Sequence, residues 1–537
     1  MKTKRYITLI ATASILMLAG CNSLEQPPVN QFTDANYWTA ERAQYMINTA
    51  YSQMYSASRM WEDESMSDNV INQRSTNNGG RLLQTGQANS DTDLFNNEWD
   101  SMYAGIKSCH TFLDNVQNIQ MDANLLKRNI AEVQFIRCYL YFRLATLYGD
   151  VPYYEQDITS SVALETGKTP KNEIISAIRA KLEEIIPDLP SRDQLPKAEN
   201  GRITKGAAVM LLARTYLYEN DWTNVEKYTR MLIDEQSTYG TYSLFNSYRG
   251  LFEEANEYNQ EVILDRSYIP NLNTWDQIQD MIPLSRNGRV SDRVPVQALV
   301  DSYLTLNGRA IDEAGSGYRA DDPYKDRDPR LTATIIYDGY DWDANVNNWF
   351  EGKGKIQINP ATSTTEDKYT GPNANTSATG YYIRKWYSPQ DKGSASSGLN
   401  IIMMRYADVL LMYAEALNEQ NKFDASAWDK TIKAIRQRAG FTNSYALDFP
   451  SGKSQAELRE IIRNERRVEL AIEGLRFFDI KRWDIGAKVF SGEVKGAWFT
   501  DKIGIVLKHV PERNYQWASP QSEIDLNPNL KPQNPGY

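Results

Sequence analysis

The sequence predicts a mainly α-helical protein in which one long irregular insertion interrupts a helical scaffold. Residues 202–235 and 405–438 each show two helical patterns joined by a short turn, a unit of about 34 residues that matches the tetratricopeptide period. Between them, residues 240–398 are rich in Gly, Asn, Asp and Pro and hold only short β-like runs. We therefore expect three parts in the body of the protein: an N-terminal helical part (37–239), the insertion (240–398) and a C-terminal helical part (399–537).

The first residues have the pattern of an export signal. Lys2, Lys4 and Arg5 precede an apolar run over residues 6–18, which is too short to span a bilayer. The run ends in Leu-Ala-Gly before Cys21, which resembles a bacterial lipoprotein cleavage box. We expect residues 1–20 to be a signal peptide, Cys21 to carry lipid, and residues 21–36 to form a lipidated polar tether.

The amino-acid composition limits the classes of function that this protein can have. The 537 residues carry a net charge of −10, which argues against a nucleic-acid surface, and include 33 Tyr and 12 Trp. Beyond Cys21, Cys109 and Cys138 sit among apolar residues in helical patterns, so we expect buried free thiols. His110 and His509 are the two histidines, and their wide separation in the sequence weakens a zinc site or histidine-based catalysis.

The N-terminal part predicts long helices separated by polar connections. Residues 61–93 are rich in Asn, Asp and Gly and are typical of a loop, a common place for binding residues. Gly149 and Pro152 should end the longest helix. The helices are predicted at residues 37–55, 97–116, 125–148 and 172–186.

The insertion predicts irregular structure with short strands. Its β-like runs fall at residues 331–337 and 381–386, and an insertion of this length is usually functional. Its acidic and amide residues alternate as in a calcium loop, although Val346 and Gly352 stand where that loop needs glycine and glutamate. We expect a polar turn and no cofactor, with calcium as the open alternative. The alternating residues are Asp341, Asp343, Asn345 and Asn347.

The stretch over residues 457–483 combines an apolar helical stripe with many charges. Glu465 lies within the stripe, and Glu469 and Glu473 follow at steps of four, so the three carboxylates share one line of the helix. Carboxylates that face a core need charged partners, and arginine suits that role. We expect an architectural ion-pair lattice. The alternative, a glycosidase acid/base pair at Glu469 and Glu473, conflicts with the nearby arginines, which would hold both carboxylates ionised.

This stretch also resembles a known family. The run from Glu465 to Asp479, followed by Arg482 and Trp483, is similar to the signature of the SusD/RagB family of Bacteroidetes outer-membrane nutrient-binding lipoproteins. Further matching phrases occur at residues 147–153, 326–331 and 534–537. The resemblance implies a lipid-anchored protein at the cell surface that binds glycan, is not an enzyme, and covers a TonB-dependent outer-membrane transporter. A peptide ligand, as in the RagB branch, is the alternative.

The resemblance implies that the insertion supplies much of the ligand site. Exposed aromatic rings bind sugars because the apolar C–H face of a pyranose lies flat on a ring, while Asn, Asp and Arg side chains take the hydroxyls. We assign the tryptophans in helical patterns to the core instead, namely Trp99, Trp222, Trp428 and Trp483. The candidate ligand residues, chosen for their polar, glycine-rich context, are Trp61, Asp68, Asn69, Asn72, Arg74, Trp275, Tyr340, Trp342 and Trp349.

Overall fold

The computed structural model describes residues 38–76, 78–342 and 354–537. The predicted signal peptide, Cys21 and the tether lie outside the described residues, as do Trp349 and the predicted calcium-loop residues Asp343, Asn345 and Asn347. The elements before the insertion are α1 (Ala40–Met54), α2 (Ala57–Ser65), β1 (Val70–Asn72), α3 (Gly79–Gln84), α4 (Asp93–Asn115), α5 (Ala123–Tyr148), α6 (Ser160–Glu165), α7 (Lys171–Ile185), α8 (Lys205–Leu217), α9 (Trp222–Asp234) and α10 (Gln236–Tyr239).

The long N-terminal helices lie close to their predicted spans. Helix α5 begins after the Asp122 cap and ends at Gly149, whose φ of +79° a glycine adopts without strain. The loop prediction for residues 61–93 is partly wrong, because this stretch contains the end of α2, then β1 and α3. Ser56 caps α2, and Met60 and Trp61 on this helix are buried. The polar residues of the stretch 61–93 suggested a loop, but several of them are buried and paired with charged side chains.

The insertion is largely irregular and holds short antiparallel strand pairs. Strand β1 pairs with β3 (Arg293–Pro295), β2 (Val262–Arg266) with β6 (Ile401–Arg405) just beyond the insertion, and β4 (Ile335–Ile336) with β5 (Tyr382–Ile383). The predicted strand at residues 331–337 is a helix up to Thr334, because Asp328 caps it and Pro329 fits its first turn. The elements are β2 (Val262–Arg266), β3 (Arg293–Pro295), α11 (Gln297–Ser302), α12 (Pro329–Thr334), β4 (Ile335–Ile336) and β5 (Tyr382–Ile383).

The C-terminal part returns to helices and ends in small elements. A π-helical turn, Asp429–Lys433, joins α14 (Ala425–Trp428) to α15 (Ala434–Ala439). The elements are β6 (Ile401–Arg405), α13 (Tyr406–Glu419), α14 (Ala425–Trp428), α15 (Ala434–Ala439), α16 (Ser444–Leu447), α17 (Gln455–Glu469), α18 (Arg476–Arg482), α19 (Gly486–Val489), β7 (Ser491–Glu493), β8 (Val506–Lys508), α20 (Pro511–Asn514) and α21 (Gln521–Leu526).

The helices stack in chain order into one layered scaffold. Helix α4 packs on α5, α5 on α7, α7 on α8, α8 on α9, α9 on α13 and α13 on α17. Because α9 contacts α13 directly, the second predicted helix pair stacks on the first across the insertion. The antiparallel pairing of β2 with β6 holds the two ends of the insertion together. The predicted mainly α-helical scaffold is confirmed.

The core contains the residues that the helical patterns assigned to it. Trp99, Trp428 and Trp483 are buried, and Trp222 packs against the core from a partly exposed position. Cys109 and Cys138 are buried free thiols, as predicted, and burial raises the pKa of each to about 12. Among the described residues, no helix combines the length and the apolar character that crossing a bilayer requires.

Candidate functional site

An ion network joins the insertion to helix α17. Glu465 and Glu469 lie on the buried side of α17, and Glu473 follows in the turn after it. Arg330 from the insertion places Nη1 2.7 Å from Glu465 and 2.9 Å from Glu469. Arg405, at the end of β6, places Nη1 2.7 Å from Glu469 and Nη2 2.7 Å from Glu473. The predicted lattice therefore exists.

The partners in this network come from distant parts of the chain. Besides Arg330 and Arg405, Arg438 pairs with Glu469 and Lys385 of the insertion with Glu473. The arginines of α17 itself bind elsewhere: Arg459 pairs with Glu419, and Arg467 with Asp68. The network thus fixes the insertion against the helical scaffold. A lattice formed within one helix would not link these two parts of the protein.

Glu469 has the electrostatics of a structural carboxylate. Burial by itself would raise its pKa, but Arg438, Arg405 and Arg330 outweigh burial and hold the pKa of Glu469 well below its usual range. Arg405 and Lys385 likewise lower the pKa of Glu473 against the effect of burial. Both carboxylates are therefore ionised at neutral pH, so neither can act as the general acid that a glycosidase pair requires.

The predicted polar ligand residues before β1 and within it point inward. Asp68 pairs with Arg476 and Arg467, at 2.7 Å and 3.0 Å. Burial would raise the pKa of Asp68, but these two arginines hold it at about 2. Asn69 accepts a 3.0 Å hydrogen bond from Nε of Arg467, and Asn72 accepts from the backbone N–H of the two residues at 74 and 75. The expectation that Asp68, Asn69 and Asn72 face a ligand is corrected, because their polar atoms brace the fold.

The predicted aromatic platforms are buried. Trp61 and Trp342 are fully enclosed, and Trp275 and Tyr340 are 4% and 1% exposed. The Trp61 and Trp275 rings lie 6.3 Å apart, and the Trp275 indole N–H donates to the Leu399 carbonyl at 2.9 Å. The expectation of an exposed ring face is wrong for all four residues. A polar sequence context does not prevent burial, because burial of a large ring is strongly favourable.

Arg74 remains at the surface. Its Nε donates to the Ser291 carbonyl at 3.0 Å, and its Nη2 to the Ala374 carbonyl at 2.6 Å and to Oδ1 of Asn375 at 3.2 Å. These bonds hold the guanidinium in a fixed orientation. Within the described residues Nη1 makes no hydrogen bond, so it can donate to a bound molecule.

Trp498, which the sequence analysis overlooked, is the exposed tryptophan of this surface. Its side chain is 70% exposed, and the neighbouring Phe499 packs edge-on against it at 5.5 Å between ring centroids. Phe499 in turn contacts buried Tyr369 of the insertion. A sequence signal existed, since Trp498 lies in a polar stretch between Gly496 and Gly504 with no helical period.

Residues 371–380 of the insertion connect Arg74 to Trp498. Ala374 and Asn375 accept from Arg74, and the backbone N–H of Ala497 donates to the Thr379 carbonyl at 2.8 Å. The five residues from Asn375 to Thr379, four Cα–Cα steps, span at most about 14 Å. We call Arg74, Asn375 and Trp498 the rim surface. It offers one apolar ring face and several polar groups, which suits a hydroxylated ligand. No cluster of His, Cys, Asp or Glu able to hold a metal occurs among the residues that the structure describes.

The protein is a stack of helices to which buried ion pairs fix a long insertion. Its candidate site is a polar surface with an exposed aromatic ring, so these features define a helical scaffold protein with a binding site at its surface. Residues 260–537 match the SusD family, and the chain belongs to this family. Residues 26–217 match a second family description, "Starch-binding associating with outer membrane".

Individual relatives agree with this assignment over nearly the full length. SusD-like protein P2 of Formosa agariphila is 27% identical over 99% of this chain and 100% of its own. The starch-binding protein SusD of Bacteroides thetaiotaomicron is 24% identical over 82% of this chain and 78% of its own. The crystal structure of a SusD-like carbohydrate-binding protein from Bacteroides fragilis has a TM-score of 0.82 and 28% identity, covering 91% of this chain and 99% of its own.

Proposed function

We propose that this protein is a lipid-anchored, cell-surface receptor that binds oligosaccharide or polysaccharide and passes it to a TonB-dependent outer-membrane transporter. The exposed ring of Trp498, which residues 375–379 connect to the oriented Arg74, is the observation that carries the binding proposal. The starch-binding and carbohydrate-binding descriptions of its relatives support the ligand class. The lipoprotein box at Cys21 and the outer-membrane description of the matching family support the location.

The rim surface gives a physical route to binding without cleavage. An oligosaccharide can place the C–H face of one ring on the Trp498 indole while hydroxyls of another ring accept from Nη1 of Arg74 or bond to the Asn375 amide. An arginine already held by three hydrogen bonds loses little further freedom on binding. The conspicuous carboxylate pair, Glu469 and Glu473, lies in the buried ion network and is occupied by cations. We therefore expect retention of glycan without products.

Affinity electrophoresis against a panel of soluble glycans tests the proposal. We expect the wild type to be retarded by at least one glycan, and Trp498→Ala to weaken that retention at least tenfold, or about 1.4 kcal/mol. Its melting temperature should hardly change, because the ring is mostly in solvent. Tyr45→Ala, another exposed aromatic on α1, is the matched control and should keep full retention.

Three outcomes would contradict the proposal. If no glycan retards the wild type, or if incubation yields shortened products, the protein is not a non-catalytic glycan receptor. If Trp498→Ala is retained as strongly as the wild type, the ring is not part of the site, whatever the glycan.

A further inference from the structure

A second concave site lies in the helical part and is built from elements that do not contribute to the rim surface. It is a cavity of about 400 Å³ between α4, the segment around α6 and the C-terminal helix α21. Its volume falls within the range of small-molecule sites, about 300–1,000 Å³. The residues that carry the argument are Trp99, Tyr103 and His110 on α4, Tyr154 before α6, and Glu523 on α21.

One wall of the cavity is aromatic and rigid. Trp99, Tyr103, Ile106 and His110 follow one another at steps of four, three and four residues, so they share one face of α4. The Trp99 and Tyr103 rings are 4.9 Å apart at 51°, and the Tyr103 and Tyr154 rings 6.3 Å apart at 67°. The Tyr103 hydroxyl donates to the Pro152 carbonyl at 2.8 Å, which fixes this ring. The wall therefore has a defined shape before any ligand arrives.

His110 lines this wall, and both of its ring nitrogens are buried. The residue is 2% exposed, and neither ring nitrogen makes a hydrogen bond within the described residues. The Tyr154 carbonyl lies close enough to favour protonated His110, but the ring nitrogens do not reach hydrogen-bond geometry with it, and it accepts from Arg137 and Tyr141. Burial, assisted by Arg137, lowers the pKa of His110 to about 4, so the ring is neutral at pH 7 with one donor and one acceptor nitrogen. Buried polar atoms of this kind are normally satisfied, and a hydroxyl can both donate and accept.

The charges around the cavity restrict the ligand further. Three carboxyl groups, on Asp100, Asp157 and Glu523, line the cavity together with one ammonium group, on Lys107, which pairs with Asp157. Burial and the neighbouring Asp100 raise the pKa of Glu523. An anionic ligand would meet this excess of carboxylates and be repelled, whereas a neutral hydroxylated ring would not.

We propose that this cavity binds one or two rings of a neutral sugar, as a site separate from the rim surface. The aromatic wall takes the C–H face of the sugar, His110 exchanges hydrogen bonds with a hydroxyl, and the carboxyl groups accept from others. The choice of a sugar rests on the proposed function, but the cavity, its wall and its charge do not.

Saturation-transfer NMR and calorimetry on the full chain test this site. The probes are methyl glucoside, methyl galactoside, methyl mannoside, maltose and cellobiose, with methyl glucuronide as the charged counterpart of methyl glucoside. Ala163, on α6, lines the cavity, so Ala163→Trp should fill it, while Ala104→Trp on the exposed side of α4 is the matched control. We expect Ala163→Trp to weaken binding of the neutral sugar at least tenfold, and Ala104→Trp to leave it unchanged.

His110→Leu separates a ligand role from a structural one. Removing an unsatisfied polar ring should raise the melting temperature of the free protein while weakening sugar binding at least tenfold. Methyl glucuronide should bind at least tenfold more weakly than methyl glucoside. Trp498→Ala should keep the binding of the small sugar while losing retention on the glycan gel, so failure of the rim surface and failure of the cavity give different results.

Three results would overturn the inference. The first is that none of the neutral probes binds the wild type. The second is that binding disappears in Trp498→Ala and persists in Ala163→Trp, which would place every sugar contact at the rim surface. The third is that phenylalanine amide binds the cavity more tightly than every sugar, which would make it a pocket for a peptide side chain.

Discussion

Replacing Glu469 by Gln should destabilise the protein without touching ligand binding. The carboxylate accepts from Arg405 at 2.7 Å and from Arg330 at 2.9 Å, and it also pairs with Arg438. The substituted glutamine side chain would be neutral and would turn an NH₂ group toward at least one of these cations. The change therefore removes one negative charge and adds a misplaced donor at a site with no exposed surface.

The magnitude follows from the charges that remain. With Glu469 the buried network holds five carboxylates (Asp328, Glu261, Glu465, Glu469 and Glu473) and five cations (Arg330, Arg405, Arg436, Arg438 and Lys385). The substitution leaves one cation in excess. Breaking a buried pair costs about 3–5 kcal/mol. Each of the three arginines keeps another carboxylate, so we expect a loss of stability at the lower end of this range, about 3 kcal/mol. This corresponds to a more than hundredfold change in the unfolding equilibrium constant.

Urea unfolding at pH 7, followed by tryptophan fluorescence, measures this change. Glu460→Gln is the control, because Glu460 lies on the same helix with a largely exposed side chain and only a 3.7 Å contact to Lys488, and it should stay close to wild type. The pKa of Glu469 is lowered in the folded state, so its contribution is complete above its ordinary value of 4.5. The difference between wild type and Glu469→Gln should therefore shrink as the pH falls below about 4.5.

A stable variant would refute this reasoning. If Glu469→Gln unfolds within about 1 kcal/mol of the wild type, a lost buried pair cannot be its main effect. If it stays fully stable and abolishes a measurable glycan hydrolysis, the residue is catalytic and the network is not merely architectural. Unchanged glycan retention in the folded fraction is the expected result.

The other predictions concern the buried tryptophan, the acidic residue before β1 and the anchor. Trp275→Ala should lower stability by about 3–5 kcal/mol, seen as a lower melting temperature, because it empties a core position. An unchanged melting temperature with lost glycan retention would show instead that Trp275 contacts the ligand. The pKa of Asp68 is about 2 in the folded protein against an ordinary 3.8, so its stabilisation is complete above pH 4 and lost toward pH 2. Melts of wild type and Asp68→Asn should therefore converge over that interval, and a constant gap would argue against the ion pair as its source. Cys21→Ala should yield a folded protein that leaves the membrane fraction in a strain without the transporter; quantitative sedimentation with membranes would disprove the lipid anchor.

Local features of the sequence predicted the helical scaffold well. Helix α5 was predicted to end at Gly149, and the structure ends it there. Glu465 within an apolar stripe correctly indicated a buried carboxylate that needs cations. These predictions depend on residues within a few turns of each other, where helical spacing alone determines which side chains share a face.

The site was harder to predict because its geometry depends on distant residues. The partners of Glu469 lie at positions 330, 405 and 438, and no spacing rule connects them. Trp275 has polar neighbours in the sequence, yet its indole N–H donates to the carbonyl of residue 399. This distant partner satisfies the N–H group, so the ring can be buried. Trp498 is exposed because it lies in the loop between β7 and β8, a pairing that the sequence analysis did not detect.

The pairing of β2 with β6 makes the insertion a candidate for exchange between relatives. Both ends of the insertion leave the scaffold side by side, so its length can change without separating α9 from α13. The ion network limits which insertions can replace this one. An incoming segment must supply the equivalents of Asp328, Arg330 and Lys385, since otherwise Glu465 and Glu469 lose Arg330 and Glu473 loses Lys385 as a buried partner. The sequence of the insertion can then change on one side of the junction while the helices on the other side stay the same.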